Sequence, residues 1–251
     1  MQYVSFYQLR HSLLRRNDEI KFLQYVFMKK WFKIERIPGL LASSYEKATR
    51  LAIDIYYRGV AEEIVSAFKE GLILDLGTGP GYLPIEIVKQ SADIKIVGID
   101  LSRKLIQIAQ QNAQSAGVSD RIDFQMGDSG RLRFDDASFD MAISTGMLHS
   151  LKDPIKVLKE IYRILKNGGE AWIYDPAKVA SYIDQKKWKA SLTHRERFFI
   201  WIFTMLKLLR PIKTYNREQV GEMIRATDFE ILTIEEDKDE IKIKLKKQFR
   251  N

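Results

Sequence analysis

The stretch Ile73-Leu74-Asp75-Leu76-Gly77-Thr78-Gly79-Pro80-Gly81-Tyr82-Leu83-Pro84 constrains the fold more than any other. Ile73, Leu74 and Leu76 form the short apolar run expected of a central parallel strand covered on both faces. Three glycines at alternate positions follow. Glycine permits positive φ and puts no Cβ between the main chain and a ligand. Pro84 falls in what should be the first turn of a helix, where proline is tolerated. Strand, glycine turn and helix in this order set the N–H groups of a helix start beside the turn, where a polar ligand can use them. A tight turn without a ligand would need the same residues, so the neighbouring sequence has to decide.

The dinucleotide fingerprint is G-x-G-x-x-G, and Tyr82 stands where its last glycine would be. The pattern is instead G-x-G-x-G, with Asp75 two residues ahead of Gly77. It resembles the first motif of the class I S-adenosylmethionine-dependent methyltransferases, of the small-molecule type. The resemblance implies that Asp75, Gly77, Thr78, Gly79 and Gly81 pack against the methionine part of S-adenosylmethionine, with S-adenosylhomocysteine as product. It also implies an α/β fold: a doubly wound, mostly parallel, seven-stranded Rossmann-like sheet with a terminal antiparallel hairpin.

The following residues continue the pattern. Lys95-Ile96-Val97-Gly98-Ile99-Asp100 is a second short strand ending in an acid, 19 residues after Gly81. That is close to the ~20-residue spacing at which a carboxylate meets ribose hydroxyls in doubly wound folds. Asp100 could equally cap the helix that begins near Ser102. A helix over 103–116 with Gly117 as its C-terminal stop leads to strand Ile122–Met126 and then Gly127-Asp128-Ser129. The resemblance gives Asp128 the adenine amine and the adjoining backbone a ring nitrogen; an aspartate stabilising a loop turn is the alternative. Leu101, Gly127, Ser129, Ser144 and Thr145 join the implied cofactor set by position.

Phe134-Asp135-Asp136-Ala137-Ser138-Phe139-Asp140 is similar to the family's lead into strand four, here Met141–Ser144. The strand ends at Thr145-Gly146-Met147-Leu148-His149-Ser150, where many small-molecule members carry two histidines and this chain keeps one. A helix over 154–165, stopped by Asn167-Gly168-Gly169, precedes strand five at 170–174 and Asp175-Pro176. Helix 217–226 and a hairpin of 230–235 with 241–245 close the chain; the alternation of apolar residues and lysine in Ile241–Leu245 is that of a half-exposed strand.

Residues 1–69 read as a helical cap and 70–251 as the core, with a helical insertion at 177–213. In the cap, Phe22–Phe32 has helical periodicity and Pro38-Gly39 breaks it. Ser43 or Ser44 is a candidate cap for a helix reaching Gly59, followed by one over 60–68. Tyr45-Glu46-Lys47-Ala48 loosely resembles a Tyr-Asp-x-x-Ala cofactor-contacting motif, and core packing would serve Tyr45 equally, as it would Tyr25, Phe27 and Trp31. The insertion helix around Phe198–Leu209 is apolar nearly all round, so it is either buried or covers an apolar ligand or membrane surface.

Composition narrows the chemistry. There is no cysteine, which removes disulfides, thiolate metal sites and cysteine nucleophiles. This argues against the RNA cytosine-C5 methyltransferases and agrees with a reducing cytoplasm, the expected location. No signal peptide is evident at Met1–Ser5, and the longest apolar run, Phe198–Leu206, is too short to span a bilayer. The net charge of +8, from 41 Lys and Arg against 33 Asp and Glu, leaves a nucleic-acid or protein acceptor open. No Asp/Asn-Pro-Pro-Tyr follows strand four, which disfavours exocyclic base amines, and no metal set is recognisable. The expectation is in-line methyl transfer to a small, partly apolar organic acceptor, aligned by proximity. His149 is the first candidate base and His194 the second. A nicotinamide oxidoreductase is disfavoured by Tyr82 and the hairpin; a non-catalytic S-adenosylmethionine-binding module survives as the alternative. Oligomeric state is not legible.

Overall fold

The computed structural model describes residues 37–176, 187, 190–205, 214–236 and 240–249. The predicted helix Phe22–Phe32, the lysines at 186 and 189, Leu206–Leu209 and the hairpin turn at 237–239 lie outside them.

Seven strands form one sheet in the order β3-β2-β1-β4-β5-β7-β6. They are β1 (Gly71–Leu76), β2 (Ile94–Asp100), β3 (Ile122–Met126), β4 (Phe139–Thr145), β5 (Leu165–Pro176), β6 (Phe229–Glu236) and β7 (Glu240–Lys247). The first five run parallel, and β7 enters antiparallel between β5 and β6. The expected mostly parallel sheet with a terminal hairpin is what the chain forms. Among the described residues no helix is long and apolar enough to cross a membrane.

Two apolar cores cover the sheet. On one face Leu74, Leu76, Ala142 and Ile173 pack with helices α5 (Pro154–Ile164) and α7 (Arg217–Arg225). On the other, Ile73, Ile96, Ile143, Trp172 and Tyr174 pack with α2 (Arg58–Ala67), α3 (Tyr82–Gln90) and α4 (Arg103–Ser115). The central strands are buried on both sides, and for that reason they read as continuous apolar runs rather than alternating ones.

The cap departs from expectation at its helix boundaries. Helix α1 (Ala42–Arg50) starts after a 3-10 turn at Gly39–Leu41, and its N-cap, Leu41, makes no side-chain bond. Ser43 and Ser44 are therefore inside the helix, not ahead of it. Nor does Gly59 end a helix. A π-helical turn at Ile53–Tyr57 passes directly into α2, which holds Gly59 in its first turn. In the core, α5 ends at Ile164 rather than 165, and the Asn167-Gly168-Gly169 break is absorbed in β5 as a register shift against β4. The insertion supplies α6 (His194–Met205). Its Ile200, with Leu192, packs on Leu41 and Ala48 of the cap.

Candidate functional site

The glycine turn joins the C-terminal end of β1 to α3. Gly77, Gly79 and Gly81 all have positive φ, at 72°, 55° and 79°. Gly81 is the N-cap of α3, and a Cβ there would meet Phe124 Cζ at 2.6 Å. Only glycine lets the helix approach β3 this closely. The turn's own donors are occupied: Gly77 N and Thr78 N both reach Ile99 O at 2.9 Å, and Gly81 N reaches Thr78 O at 3.0 Å. Gly79 N donates to Asp100 Oδ2 at 3.1 Å. The turn is thus tied to the end of β2 instead of presenting these N–H groups to a phosphate, contrary to the simple helix-start expectation.

Asp100 caps the following helix, as one of its two expected roles required, and also ties down the glycine turn. Oδ1 accepts from Ser102 N at 2.7 Å, holding the start of α4, while Oδ2 holds Gly79. A carboxylate has about four lone-pair sites, so acceptor capacity remains for hydroxyl donors. Asp100 and Leu101 line a cleft of about 290 Å³ beyond the strand ends with Gly77, Gly127, Asp128 and Ser129. These six sequence-predicted residues are brought together. Sequence reasoning missed Met147, Lys152 and Lys156, which also line the cleft. Asp128 is exposed, and its Oδ1 accepts from Gly130 N at 2.8 Å, so part of its capacity goes to the loop.

The other predicted residues surround the turn rather than this cleft. Asp75 is 2% exposed. Burial pushes its carboxyl up to about 7, the Thr78 hydroxyl opposing the shift and the Asp100 charge adding to it. Thr78 Oγ1 itself is buried near that carboxyl without completing hydrogen-bond geometry to any described group. The Tyr45 ring lies over Gly79, with Cε1 3.5 Å from where a Cβ would stand. Burial, then the Asp100 charge, drive its hydroxyl above the usual tyrosine range, so it stays protonated. Tyr57 is pushed up likewise, by burial and then by Tyr45, Asp75 and Tyr82 around it. Ser144 is buried and donates from Oγ to Leu76 O at 3.0 Å, stitching β4 to β1. Thr145 is the last residue of β4 and pairs with Tyr174.

That register decides where His149 meets a partner. Residues just beyond Thr145 and Tyr174 emerge side by side, and His149, in a 3-10 turn at Leu148–Ser150, sets Nδ1 2.9 Å from Asp175 Oδ1. Asp175 is 3% exposed. A buried carboxylate beside Nδ1 favours the tautomer with its proton there and the lone pair on Nε2. Asp175 was visible in the sequence only as the residue after strand five; no spacing announces the pairing. His194, at the start of α6, is exposed and remote in role from this pair.

The residues fit S-adenosylmethionine better than a dinucleotide. The glycine turn has spent its N–H groups internally, which removes a pyrophosphate cradle. Asp100 keeps acceptor capacity on the cleft, where the hydroxyls of a nucleoside can use it.

Comparisons with known proteins agree. A family described as methyltransferase domain matches residues 68–241. The ubiquinone/menaquinone biosynthesis C-methyltransferase UbiE of Geobacter sp. (strain M21) is 32% identical over 155 residues, covering 60% of this chain and 66% of that protein. The sterol 4-C-methyltransferase strm-1 of Caenorhabditis elegans is 32% identical over 124 residues, covering 49% of this chain and 36% of that one. The chain spans less than two thirds of the length of these curated relatives. A putative S-adenosyl-L-methionine-dependent methyltransferase from Methanococcus maripaludis superimposes with a TM-score of 0.62 at 25% identity, over 84% of this chain and 93% of that one.

Proposed function

Because the chain belongs to the methyltransferase domain family, whose methyl donor is S-adenosylmethionine, we propose that it transfers a methyl group to a small, partly apolar organic acceptor with His149 as base. The observation that carries this reading is the His149–Asp175 pair at the ends of β4 and β5, between the glycine turn and the outer half of the sheet. Open α/β sheets bind ligands beyond the carboxyl ends of their strands, and the pair stands there. The names of both relatives describe carbon methylation, one in ubiquinone/menaquinone biosynthesis and one of a sterol, which supports an apolar acceptor.

In this reading Gly77, Gly79, Gly81, Thr78, Asp75 and Tyr45 hold the methionine part. Asp100 and Leu101 take the ribose, and Gly127, Asp128 and Ser129 the adenine, with Ser144 and Thr145 behind the strand end. The bound donor supplies an electrophilic methyl and departs as neutral S-adenosylhomocysteine. His149 Nε2 takes the acceptor's proton as the new bond forms, and Asp175 compensates the imidazolium. Tyr45 and Tyr57, held protonated by burial, wall the turn and exclude water. The division into a cap over 1–69 and a core over 70–251, interrupted by the insertion at 177–213, belongs to the same reading, as does a cytoplasmic location.

Calorimetric titration with S-adenosylmethionine, S-adenosylhomocysteine and NADH tests the cofactor: micromolar binding of the first two and none of NADH is expected. A labelled-methyl assay then compares quinol, phenol and sterol acceptors with RNA and protein. Transfer to RNA with steep salt dependence would move the acceptor to nucleic acid. Binding without transfer to any class would leave a ligand-binding module.

A further inference from the structure

One stretch of this chain is strongly cationic: residues 186–213 hold eight Lys and Arg and a single acid, Glu196. The structure turns that acid inward. Glu196 is 7% exposed and accepts from Lys47 Nζ at 2.9 Å and from Thr193 N and Oγ1 at 2.7 and 2.8 Å. Burial works against its charge, but the bonds from Lys47, Thr193 and Ser43 outweigh it and hold the carboxyl down at about 2. Arg195, its neighbour on α6, is exposed. The charge that α6 offers to solvent is therefore cationic.

The apolar side chains of α6 divide in the same way. Ile200 is buried on the cap, whereas Phe198 is 55% exposed. The 3-10 turn at Gly39–Leu41 lies against α6 and leaves Leu40 57% exposed. A helix that is apolar nearly all round but covered on one side leaves apolar surface to be covered by something else. Exposed apolar groups on and beside a helix that also exposes Arg195 match the interface of an anionic bilayer, where rings and leucines enter the acyl boundary and arginines meet headgroup phosphates. Nucleic acid would use the cations and could stack on Phe198, but it has no use for Leu40.

We propose that the outer face of α6, with Leu40 beside it, docks on an anionic lipid surface. The inference stands on charge and exposure and does not need the acceptor to be known. It gives the proposed chemistry a location, since α1 ties this face to the glycine turn through Lys47 on one side and Tyr45 on the other.

Co-sedimentation of the full chain with large unilamellar vesicles is the test. Vesicles of phosphatidylcholine containing phosphatidylglycerol should retain the protein, pure phosphatidylcholine should retain much less, and added salt should release it. Arg195→Glu places two units of charge against the surface and should weaken binding by about tenfold or more. Phe198→Ser should weaken it several-fold, and Leu40→Ser, on a separate element, provides an independent check. S-adenosylhomocysteine affinity should be unchanged in all three, which separates loss of docking from loss of fold or of the cofactor site. The proposal fails if the wild-type chain ignores phosphatidylglycerol vesicles, if all three variants bind like wild type, or if a single-stranded RNA displaces the protein from vesicles at lower concentration than soluble anionic lipid does.

Discussion

The Tyr82 hydroxyl donates to Glu46 Oε1 at 2.5 Å, joining the residue after the last glycine of the turn to helix α1 of the cap. Arg50 Nε donates to the same carboxylate at 2.8 Å. Burial, reinforced by Glu46 and opposed by Arg50, pushes the Tyr82 phenol up to about 12, so it remains a donor at all ordinary pH. Tyr82→Phe leaves the buried carboxylate with Arg50 alone and should cost about 1–3 kcal/mol in denaturant unfolding, the loss of one hydrogen bond to a charged group. An unchanged midpoint would show that the cap is held by its apolar contacts only.

His149→Ala should lower kcat by about a hundredfold or more while S-adenosylhomocysteine affinity stays within about threefold, because only proton removal is lost. Asp175→Asn keeps the shape but offers the wrong partner to Nδ1–H, and should lower kcat with little change in the acceptor KM. Equal turnover in His149→Ala would make the pair a structural hydrogen bond.

Asp100→Ala should weaken S-adenosylhomocysteine binding by about a hundredfold or more, read by calorimetry. It also deletes the acceptor for Gly79 N and Ser102 N, so a stability loss of about 1–2 kcal/mol should accompany it. A stable variant with unchanged affinity removes Asp100 from the site.

The Asp75 carboxyl makes stability depend on pH in an identifiable window. Unfolded, it titrates near ~4; folded, burial raises it to about 7. Between these values the native state keeps a proton that the unfolded state releases, so stability falls as pH rises from ~4 to ~7 and then levels off. Asp75→Asn should remove that slope, gaining about 2 kcal/mol or more at pH 8 and little at pH 4. Parallel stability profiles for the two proteins would contradict the buried, protonated carboxyl.

Two glycines with similar φ should respond differently to alanine. Gly117 has φ 70° and open space around it, so Gly117→Ala should cost only the left-handed backbone term, about 1 kcal/mol. Gly81→Ala meets Phe124 as well and should cost about 2–4 kcal/mol in thermal unfolding. Equal costs would mean that Phe124 moves aside freely.

The sheet was legible in the sequence because doubly buried parallel strands leave short apolar runs, as at Gly71–Leu76 with Asp75 as its one polar residue, and because each run stops at an informative residue. Cap boundaries were not. Leu41 caps α1 without a side-chain bond, and nothing in Ile53–Tyr57 marks a π-helical turn. In the site, spacing pointed to Asp100 and the family resemblance to Gly127–Ser129, and all four line one cleft. The partner of His149 could not, since its approach depends on Thr145 pairing with Tyr174 and a strand's period of two does not encode register with its neighbour. The apolar helix α6 was read as buried or covering something apolar; its Ile200 is buried on the cap and its Phe198 is exposed.

The position of β7 also bears on how the molecule comes into being. β5 has β4 on one side and β7 on the other, and Asp175 pairs with Ile241, 66 residues further along. On the ribosome, the strand that carries Asp175 must therefore wait, one edge bare, while more than sixty residues are synthesised. The glycine turn can form early, from neighbours close in sequence. The partner of the histidine gains its second neighbour only when β7 enters between β5 and β6, so a nascent chain can build the glycine turn before the strand that carries Asp175 is enclosed.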